Sequence, residues 1–182
     1  KHFADSVYGA RLLKNNATLC DIGTGAGFPA VVLKIVRPDL KITLVDALDK
    51  RVKFLNLILE SLNLDGIEAL HFRAEDRVFK EKYLNSFDYV TARAVANMST
   101  LSEYCLPFVK VGGSFLAYKS DKVEDEVNSS LNAIAILGGK LKKIHTYKLD
   151  SETTRTIVEI EKLKPTDKKY PRDMNKPKLK PL

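Results

Sequence analysis

Cysteine, tryptophan and long apolar runs are what this sequence has least of. Its 182 residues include two cysteines and no tryptophan. Cys20 and Cys105 lie inside apolar patterns without the short Cys or Cys/His spacing of a metal site, so we expect buried thiols in a reducing cytosol rather than ligands or a disulfide. No apolar run approaches the roughly 18 residues that a membrane span requires. The composition therefore favours a cytoplasmic, monomeric protein with no membrane partner.

The sequence also lacks a secretory leader and any histidine cluster. It opens with Lys1-His2-Phe3-Ala4-Asp5, which has no apolar segment and is typical of a chain that starts partway into a helix. We therefore expect that an N-terminal piece is missing. His2, His71 and His145 lie far apart without ligand spacing, so we predict no metal site.

What the chain does have is a strongly basic C-terminal end. Seven lysines and arginines and two aspartates between positions 164 and 182 give this segment +5 of the net charge of +7. Four prolines in the same segment favour an extended arm. We therefore divide the chain into a domain at 1–163 and a basic tail at 164–182. Such a tail either binds a polyanion or is only solvated, and charge alone does not decide between the two.

Short apolar runs alternate with longer helical patterns along most of the chain. We predict helices at 2–14, 28–37, 49–62, 99–107 and 123–137, and strands at 18–22, 41–46, 67–72, 87–92, 114–118, 140–148 and 155–162. This alternation predicts an α/β fold with a mostly parallel, doubly wound sheet. The last two strands have no helix between them, so they should pair as an antiparallel hairpin.

A glycine-rich loop follows the first predicted strand. The segment Asp21-Ile-Gly23-Thr-Gly25-Ala-Gly27 places glycine where the backbone needs positive φ or where a ligand must approach closely. A dinucleotide-binding loop has the spacing G-x-G-x-x-G, whereas the spacing here is G-x-G-x-G with an acid two residues ahead. This difference favours S-adenosylmethionine, whose ammonium group Asp21 can face, over a nicotinamide cofactor.

Two further groups of acids follow the second and third predicted strands. Asp46 lies nineteen residues after Gly27, where a carboxylate can accept both hydroxyls of an adenosine ribose. The alternative is that Asp46 caps the next helix. Ala74-Glu75-Asp76 could recognise the adenine edge, and the alternative is that both acids are solvated loop residues.

Taken together, these residues resemble the bacterial small-subunit (16S) ribosomal RNA guanine-N7 methyltransferases, the glucose-inhibited division protein B family. The similarity covers essentially the whole chain. Its family-specific parts are Lys50-Arg51 with Phe54-Leu55, Ala92-Arg93-Ala94-Val95-Ala96, and Tyr170-Pro171-Arg172 with the closing Pro181-Leu182. The departures are Asn175 in place of a usual glycine, whose positive φ asparagine tolerates, and Lys119-Ser120 in place of Lys-Gly.

The resemblance implies a Rossmann-like class I methyltransferase fold, S-adenosylmethionine as cofactor, and ribosomal RNA or the small ribosomal subunit as partner. It implies cofactor contacts from Gly23, Phe28, the Asp46 region, Ala74, Glu75 and Arg93, to which the loop adds Asp21, Gly25 and Gly27. It also implies that N-terminal helices are missing and that the helix with His2 and Asp5 lies over the cofactor. For RNA we expect contacts from the tail residues Lys168, Lys169, Arg172 and Lys176.

The residues after the fourth predicted strand indicate the methyl acceptor. There is no Asn/Asp-Pro-Pro-aromatic turn for an exocyclic amine, no cysteine nucleophile for pyrimidine C5, and no acid for a ribose hydroxyl. Guanine N7 needs no deprotonation, so we assign no general base. We predict that Arg93 positions the cofactor carboxylate or the guanine; the alternative is a salt bridge to Asp21 or Glu75.

The sequence thus predicts an RNA guanine-N7 methyltransferase. Two alternatives stay open: a small-molecule or protein methyltransferase on the same fold, and a non-catalytic RNA-binding domain. The basic tail favours an RNA enzyme over the first, and the intact glycine loop with Asp46 argues against the second.

Overall fold

A computed structural model of the protein describes residues 2–93 and 96–182. Its helices are α1 (His2–Tyr8), α2 (Ala30–Val36), α3 (Asp49–Ser61), α4 (Arg77–Tyr83), α5 (Met98–Cys105), α6 (Glu124–Ile136) and α7 (Lys176–Leu179). Its strands are β1 (Thr18–Ile22), β2 (Lys41–Asp46), β3 (Ile67–His71), β4 (Phe87–Arg93), β5 (Val109–Lys119), β6 (Gly139–Lys148) and β7 (Thr154–Lys162). Short 3-10 helices span Gly9–Leu12 and Leu106–Phe108. Ala94 and Val95 of the family-specific motif lie outside the described residues.

The strands form one sheet in the order β3-β2-β1-β4-β5-β7-β6. Strands β1 to β5 are parallel because each is joined to the next by a connection long enough to return the chain to the same end. Strand β7 pairs antiparallel with both β5 and β6. The predicted α/β fold, with a mostly parallel sheet and a C-terminal antiparallel hairpin, is confirmed. The carboxyl ends of the five parallel strands consequently share one edge.

Helices cover both faces of the sheet and create two hydrophobic cores. On one face, Leu33 of α2 and Leu55 of α3 are buried with Leu44 of β2. On the other face, Phe79 of α4 is buried with Phe115 of β5. Complete burial of a side chain of this size contributes about 1.5–3 kcal/mol. These two cores hold the strand ends in fixed positions relative to one another.

Two helices differ from the sequence prediction. The prediction missed α4, of whose seven residues only Phe79 is buried, so the segment is too short to show a helical period. Asp76 begins this helix by accepting a hydrogen bond from the Val78 N–H at 2.9 Å. The helix predicted at 2–14 is α-helical only over His2–Tyr8 and continues as the 3-10 helix Gly9–Leu12.

Strand β5 also differs, because it begins at Val109, before the glycine pair that was expected to precede it. Gly112 has a φ of +82°. A Cβ atom on Gly113 would collide with the carbonyl oxygen of Asp88 in β4. The glycine pair therefore lies inside the strand, where it permits an irregular register with β4 rather than a turn.

The basic tail is not the extended arm that its prolines predicted: turns at 168–169 and 174–175 and the helix α7 interrupt it, and it is anchored to the body of the protein. The Arg172 guanidinium donates to both carboxylate oxygens of Glu103, with Nε–Oε1 at 2.9 Å and Nη2–Oε2 at 2.7 Å. The Thr100 hydroxyl donates to the Pro177 carbonyl at 2.8 Å. Asn175 has a φ of +56°, so the turn that glycine usually makes is retained. The tail thus packs along α5 and is not a free arm.

We predict that Arg172→Ala destabilises the protein by about 3 kcal/mol, because the Glu103 carboxylate, which is 0% exposed, loses its charged partner and keeps only the backbone N–H of residue 172 as a donor. Urea unfolding measures this change. The control is Lys169→Ala, whose ion pair with Asp167 is exposed on both sides and should contribute less than about 1 kcal/mol. Equal unfolding midpoints for the two variants would contradict this account of the tail.

Candidate functional site

The glycine loop lies at the carboxyl end of β1, and its glycines meet different requirements. All three have positive φ: +68° at Gly23, +60° at Gly25 and +91° at Gly27. A Cβ on Gly27 would press against Val31 and Leu55, so this glycine allows α2 and α3 to pack closely. The nearest described atom to a Cβ on Gly25 is 4.0 Å away. Gly25 therefore faces open space, as a loop that cradles a ligand requires.

Asp46, at the end of β2, holds this loop in place. Its Oδ2 atom accepts a hydrogen bond from the Gly25 N–H at 2.9 Å, and its Oδ1 atom accepts one from the Leu48 N–H at 2.9 Å. Arg51 lies 3.4 Å from Oδ2. The N-cap residue of α3 is Leu48, and no side chain accepts a capping hydrogen bond there. Asp46 is therefore not the cap of that helix. A carboxylate has about four acceptor positions. The three contacts use three of them, which leaves about one for a ribose hydroxyl.

Asp21 is buried beside the loop with part of its bonding capacity unused. Its Oδ1 atom accepts from the Thr91 hydroxyl at 2.6 Å. Its Oδ2 atom and the Thr24 hydroxyl are buried without a hydrogen-bond partner among the described residues. Burial raises the pKa of Asp21 to about 7. An unpartnered buried carboxylate oxygen is suited to a cationic group of a ligand.

A first cleft of about 190 Å³ opens at the ends of β2 and β3. Three of its lining residues, Gly23, Ala74 and Glu75, were predicted from the sequence, and Phe72, Tyr104 and Asn175 were not. Glu75 is only 12% exposed and lies 3.6 Å from Arg73, so it is not a solvated loop acid. Asp76 instead caps α4 and takes no part in the lining. The size and largely apolar lining of this cleft are suited to one flat ring system.

Arg93, at the end of β4, lies on the other side of the glycine loop. Its guanidinium carbon is 5.1 Å from the centre of the Phe28 ring. Arg93 forms an ion pair with Asp5 of α1, at 3.4 Å. The alternative role considered in the sequence analysis was a salt bridge too, but with Asp21 or Glu75 as the acid. The Tyr147 hydroxyl donates to the Asp5 carboxylate at 2.5 Å. These contacts hold α1 against the ends of the strands, so Asp5 has a local role that the sequence did not reveal.

A second cleft, of about 470 Å³, opens beside Arg93 at the ends of β4 and β5. It is lined by His2, Asp5, Arg93, Tyr118, Lys119, Ser120, Glu126 and Arg155. The sequence prediction included Arg93 and missed Glu126 and Arg155, which come from α6 and β7. The three cations of the cleft outnumber its two carboxylates, and Arg93 pairs with Asp5 while Lys119 pairs with Glu126. The cleft is therefore suited to an anionic or carbonyl-bearing partner. The glycine loop lies between the two clefts because β1 lies between β2 and β4.

Comparison with solved structures identifies the class of protein. M. jannaschii TYW2 in complex with AdoMet aligns with a TM-score of 0.71 at 13% identity, over 89% of this chain and 76% of that one. A precorrin-6y C5,15-methyltransferase from Geobacter metallireducens aligns with a TM-score of 0.64 at 13% identity, over 88% and 87% of the two chains. The fold is therefore that of the class I S-adenosylmethionine-dependent methyltransferases.

Sequence comparison then identifies the family. Residues 1–158 match the family described as rRNA small subunit methyltransferase G. The ribosomal RNA small subunit methyltransferase G of Lactobacillus acidophilus is 50% identical over 188 residues, which cover 100% of this chain and 78% of that protein. The protein of the same name from Acetivibrio thermocellus is 47% identical, covering 100% and 76%. The chain belongs to the rRNA small subunit methyltransferase G family, as its sequence motifs predict, and its cofactor is S-adenosylmethionine.

Two further findings concern other kinds of partner. No helix in the described residues is both long and apolar enough to cross a membrane. Within 2–93 and 96–182, no group of three His, Cys, Asp or Glu side chains could hold a metal ion. Cys20 and Cys105 are both buried and unpaired as thiols, and burial raises the pKa of each well above its usual value.

We predict that Gly25→Ala weakens S-adenosylmethionine binding at least tenfold, because the new methyl group fills the open side of the loop. Isothermal titration calorimetry measures the affinity. Gly112→Ala is a matched control, since Gly112 also has positive φ, +82°, and open space around it, but lies in β5 away from both clefts. Its backbone strain is similar and its affinity should equal that of wild type. Equal affinities for the two variants would place the cofactor elsewhere.

We also predict that cofactor affinity rises by about eightfold between pH 6 and pH 7.5. The pKa of Asp21 is about 7 in the free protein. A bound cation favours the ionised carboxylate, so binding weakens as the pH falls and the carboxyl group is protonated. Asp21→Asn cannot titrate, and its pH profile reports only the titration of the cofactor itself and of other groups. Parallel profiles for wild type and Asp21→Asn would show that Asp21 does not face the cofactor.

Proposed function

We propose that the protein transfers a methyl group from S-adenosylmethionine to N7 of a guanine in 16S ribosomal RNA. The observation that carries this proposal is the character of the second cleft, which presents cations at the end of β4 and β5. Its carboxylates, Asp5 and Glu126, each accept hydrogen bonds from protein donors. Such a cleft is suited to an acceptor that needs positioning and no deprotonation. Guanine N7 has a free lone pair and lies beside O6, an acceptor that arginine and lysine bind well.

When bound, the cofactor supplies an electrophilic methyl group on its sulfonium. We propose that Asp21 binds its ammonium group and that Asp46 binds its ribose. Ala74 and Glu75 are proposed to bind its adenine. The loop glycines and Phe28 are proposed to contact the part of the cofactor that lies between these groups. Arg93 lies between these residues and the second cleft. Its proposed role is to orient the acceptor base, or the cofactor carboxylate, so that N7 and the methyl carbon are in line.

Ribosomal RNA also needs phosphate contacts outside the cleft. The tail lysines Lys168, Lys169 and Lys176 are exposed, and we propose that they bind backbone phosphates. The sequence prediction included Arg172 in this group. Its Nε and Nη2 atoms are bound to buried Glu103 and to the Lys180 carbonyl, so a phosphate contact would fall to Nη1. Arg172 therefore anchors the tail, and its contact with RNA stays a prediction.

The proposal is tested by comparing 16S ribosomal RNA from cells with and without the gene. Borohydride reduction followed by aniline cleaves the RNA at 7-methylguanosine, and primer extension locates the position. We expect one cleavage that disappears on deletion and returns with the wild-type gene. Identical cleavage patterns in the two strains would contradict the proposed function.

We predict that Arg93→Ala lowers methyl transfer at least tenfold, about 1.4 kcal/mol in activation free energy, and leaves the melting temperature within a few degrees of wild type. The melting temperature should change little because the Asp5 carboxylate keeps its bond to Tyr147. Arg93→Lys is the control that retains the charge, and it should recover part of the activity. A large fall in melting temperature for Arg93→Ala would instead indicate a structural ion pair.

A further inference from the structure

Glu126 is a carboxylate on the wall of the second cleft that is otherwise rich in cations. It belongs to the first turn of α6, and its side chain is 31% exposed. Its Oε1 atom accepts two hydrogen bonds, from the Met98 N–H at 2.6 Å and from the Lys119 ammonium at 2.7 Å. Lys119 also donates to the Ala96 carbonyl at 2.9 Å. The side chain of Glu126 is therefore fixed in position through one of its two oxygens.

The second oxygen of Glu126 has a different environment. Among the described residues, no hydrogen bond is made to Oε2, and this atom is not buried. A carboxylate oxygen has two acceptor positions. Glu126 lines the second cleft, and its Oε2 atom provides two acceptor positions on a carboxylate whose other oxygen already accepts two hydrogen bonds.

We propose that Glu126 selects guanine by accepting hydrogen bonds from its N1–H and N2 amino groups. This inference rests on the proposed function and concerns the acceptor base within the same cleft. Of the four RNA bases, only guanine has two neighbouring donors on its Watson–Crick edge, with O6 beside them. The two acceptor positions of Oε2 match those two donors, and the adjoining Lys119 ammonium, bound to Oε1 of the same carboxylate, matches O6. Adenine has an acceptor at N1 and would meet the carboxylate with a repulsive lone pair.

The position of Glu126 agrees with methylation at N7. In guanine, N7 lies on the Hoogsteen edge and the N1/N2 donors lie on the Watson–Crick edge, with O6 between them. The sheet order places β4 and β5 between the glycine loop on β1 and the part of the cleft formed by α6. A base whose N7 faces the glycine loop therefore turns its donors toward Glu126 and its O6 toward Arg93 and Lys119.

The charge of Glu126 also has a role in the reaction. The N7 lone pair forms the new bond to the methyl carbon, and the electron pair of the carbon–sulfur bond remains on sulfur. The positive charge thus passes from the sulfonium to the purine, and N1–H and the N2 amine become stronger donors. A carboxylate bound to those donors stabilises the transition state more than the ground state. Glu126 should therefore contribute to kcat as well as to the choice of base.

A cycle of one substitution in the protein and one in the RNA tests the proposal. The variant is Glu126→Gln, which keeps an acceptor oxygen for Met98 and Lys119. The RNA change is inosine at the methylated position of a reconstituted small-subunit RNA, because inosine lacks only the N2 amine of guanosine. We expect kcat/KM of the wild type to fall at least tenfold on inosine, and that of Glu126→Gln to fall less than threefold. Asp125→Asn, which removes the same charge from an exposed position on the same turn, is the control and should behave as wild type.

The outcomes separate this inference from the proposed function. If Glu126→Gln is slowed equally on guanosine and inosine substrates, its role is only to hold Lys119 and the start of α5, and the inference is overturned. If the wild type methylates guanosine and inosine equally well, the N2 amine is not recognised and the inference also fails, while the proposed function stands. If the wild type methylates no guanine of 16S ribosomal RNA, both are overturned.

Discussion

The hydrogen bonds of the Asp46 carboxylate connect the parts of the molecule on which the site depends. One oxygen binds the Gly25 N–H in the loop after β1, and the other binds the Leu48 N–H just before α3. Asp46 is 3% exposed, so these bonds are shielded from water and hold their geometry. The loop would otherwise be poorly ordered, because three glycines in seven residues impose few steric limits. The parallel sheet supplies the rest of the constraint by bringing the ends of β1, β2 and β4 to one edge.

The glycine loop lies between two clefts that have different linings. The first cleft is small and mostly apolar, and the buried carboxylates of Asp21 and Asp46 lie at the adjoining glycine loop. The second cleft is larger and cationic, with Arg93, Lys119 and Arg155 in its lining. On the proposed function, carboxylates lie near the positively charged cofactor, and most of the charged groups beside the RNA acceptor are cations. The difference in charge between the two clefts favours the correct occupant in each.

The glycine loop and the acids near it could be predicted from the sequence, because these residues occur in local motifs with fixed spacing. Gly23, Gly25 and Gly27 follow a strand directly, and Asp46 and Glu75 each follow a further strand. The second cleft could not be predicted in the same way. Glu126 and Arg155 come from α6 and β7, and only the sheet order brings them to Arg93. The anchoring of the tail by Arg172 and Glu103 likewise joins residues 69 positions apart, and no local pattern indicates such a contact.

The central claim is that the protein places one methyl group on N7 of one guanine, and it is tested most directly with the purified protein. Small ribosomal subunits from a strain that lacks the gene are incubated with S-adenosylmethionine carrying an isotopically labelled methyl group. Nuclease digestion and mass spectrometry then identify the labelled nucleoside. The account predicts about one labelled 7-methylguanosine for each 16S ribosomal RNA and no other labelled nucleoside. Label on an exocyclic amine, a ribose hydroxyl or a pyrimidine carbon, or no label at all, would contradict it.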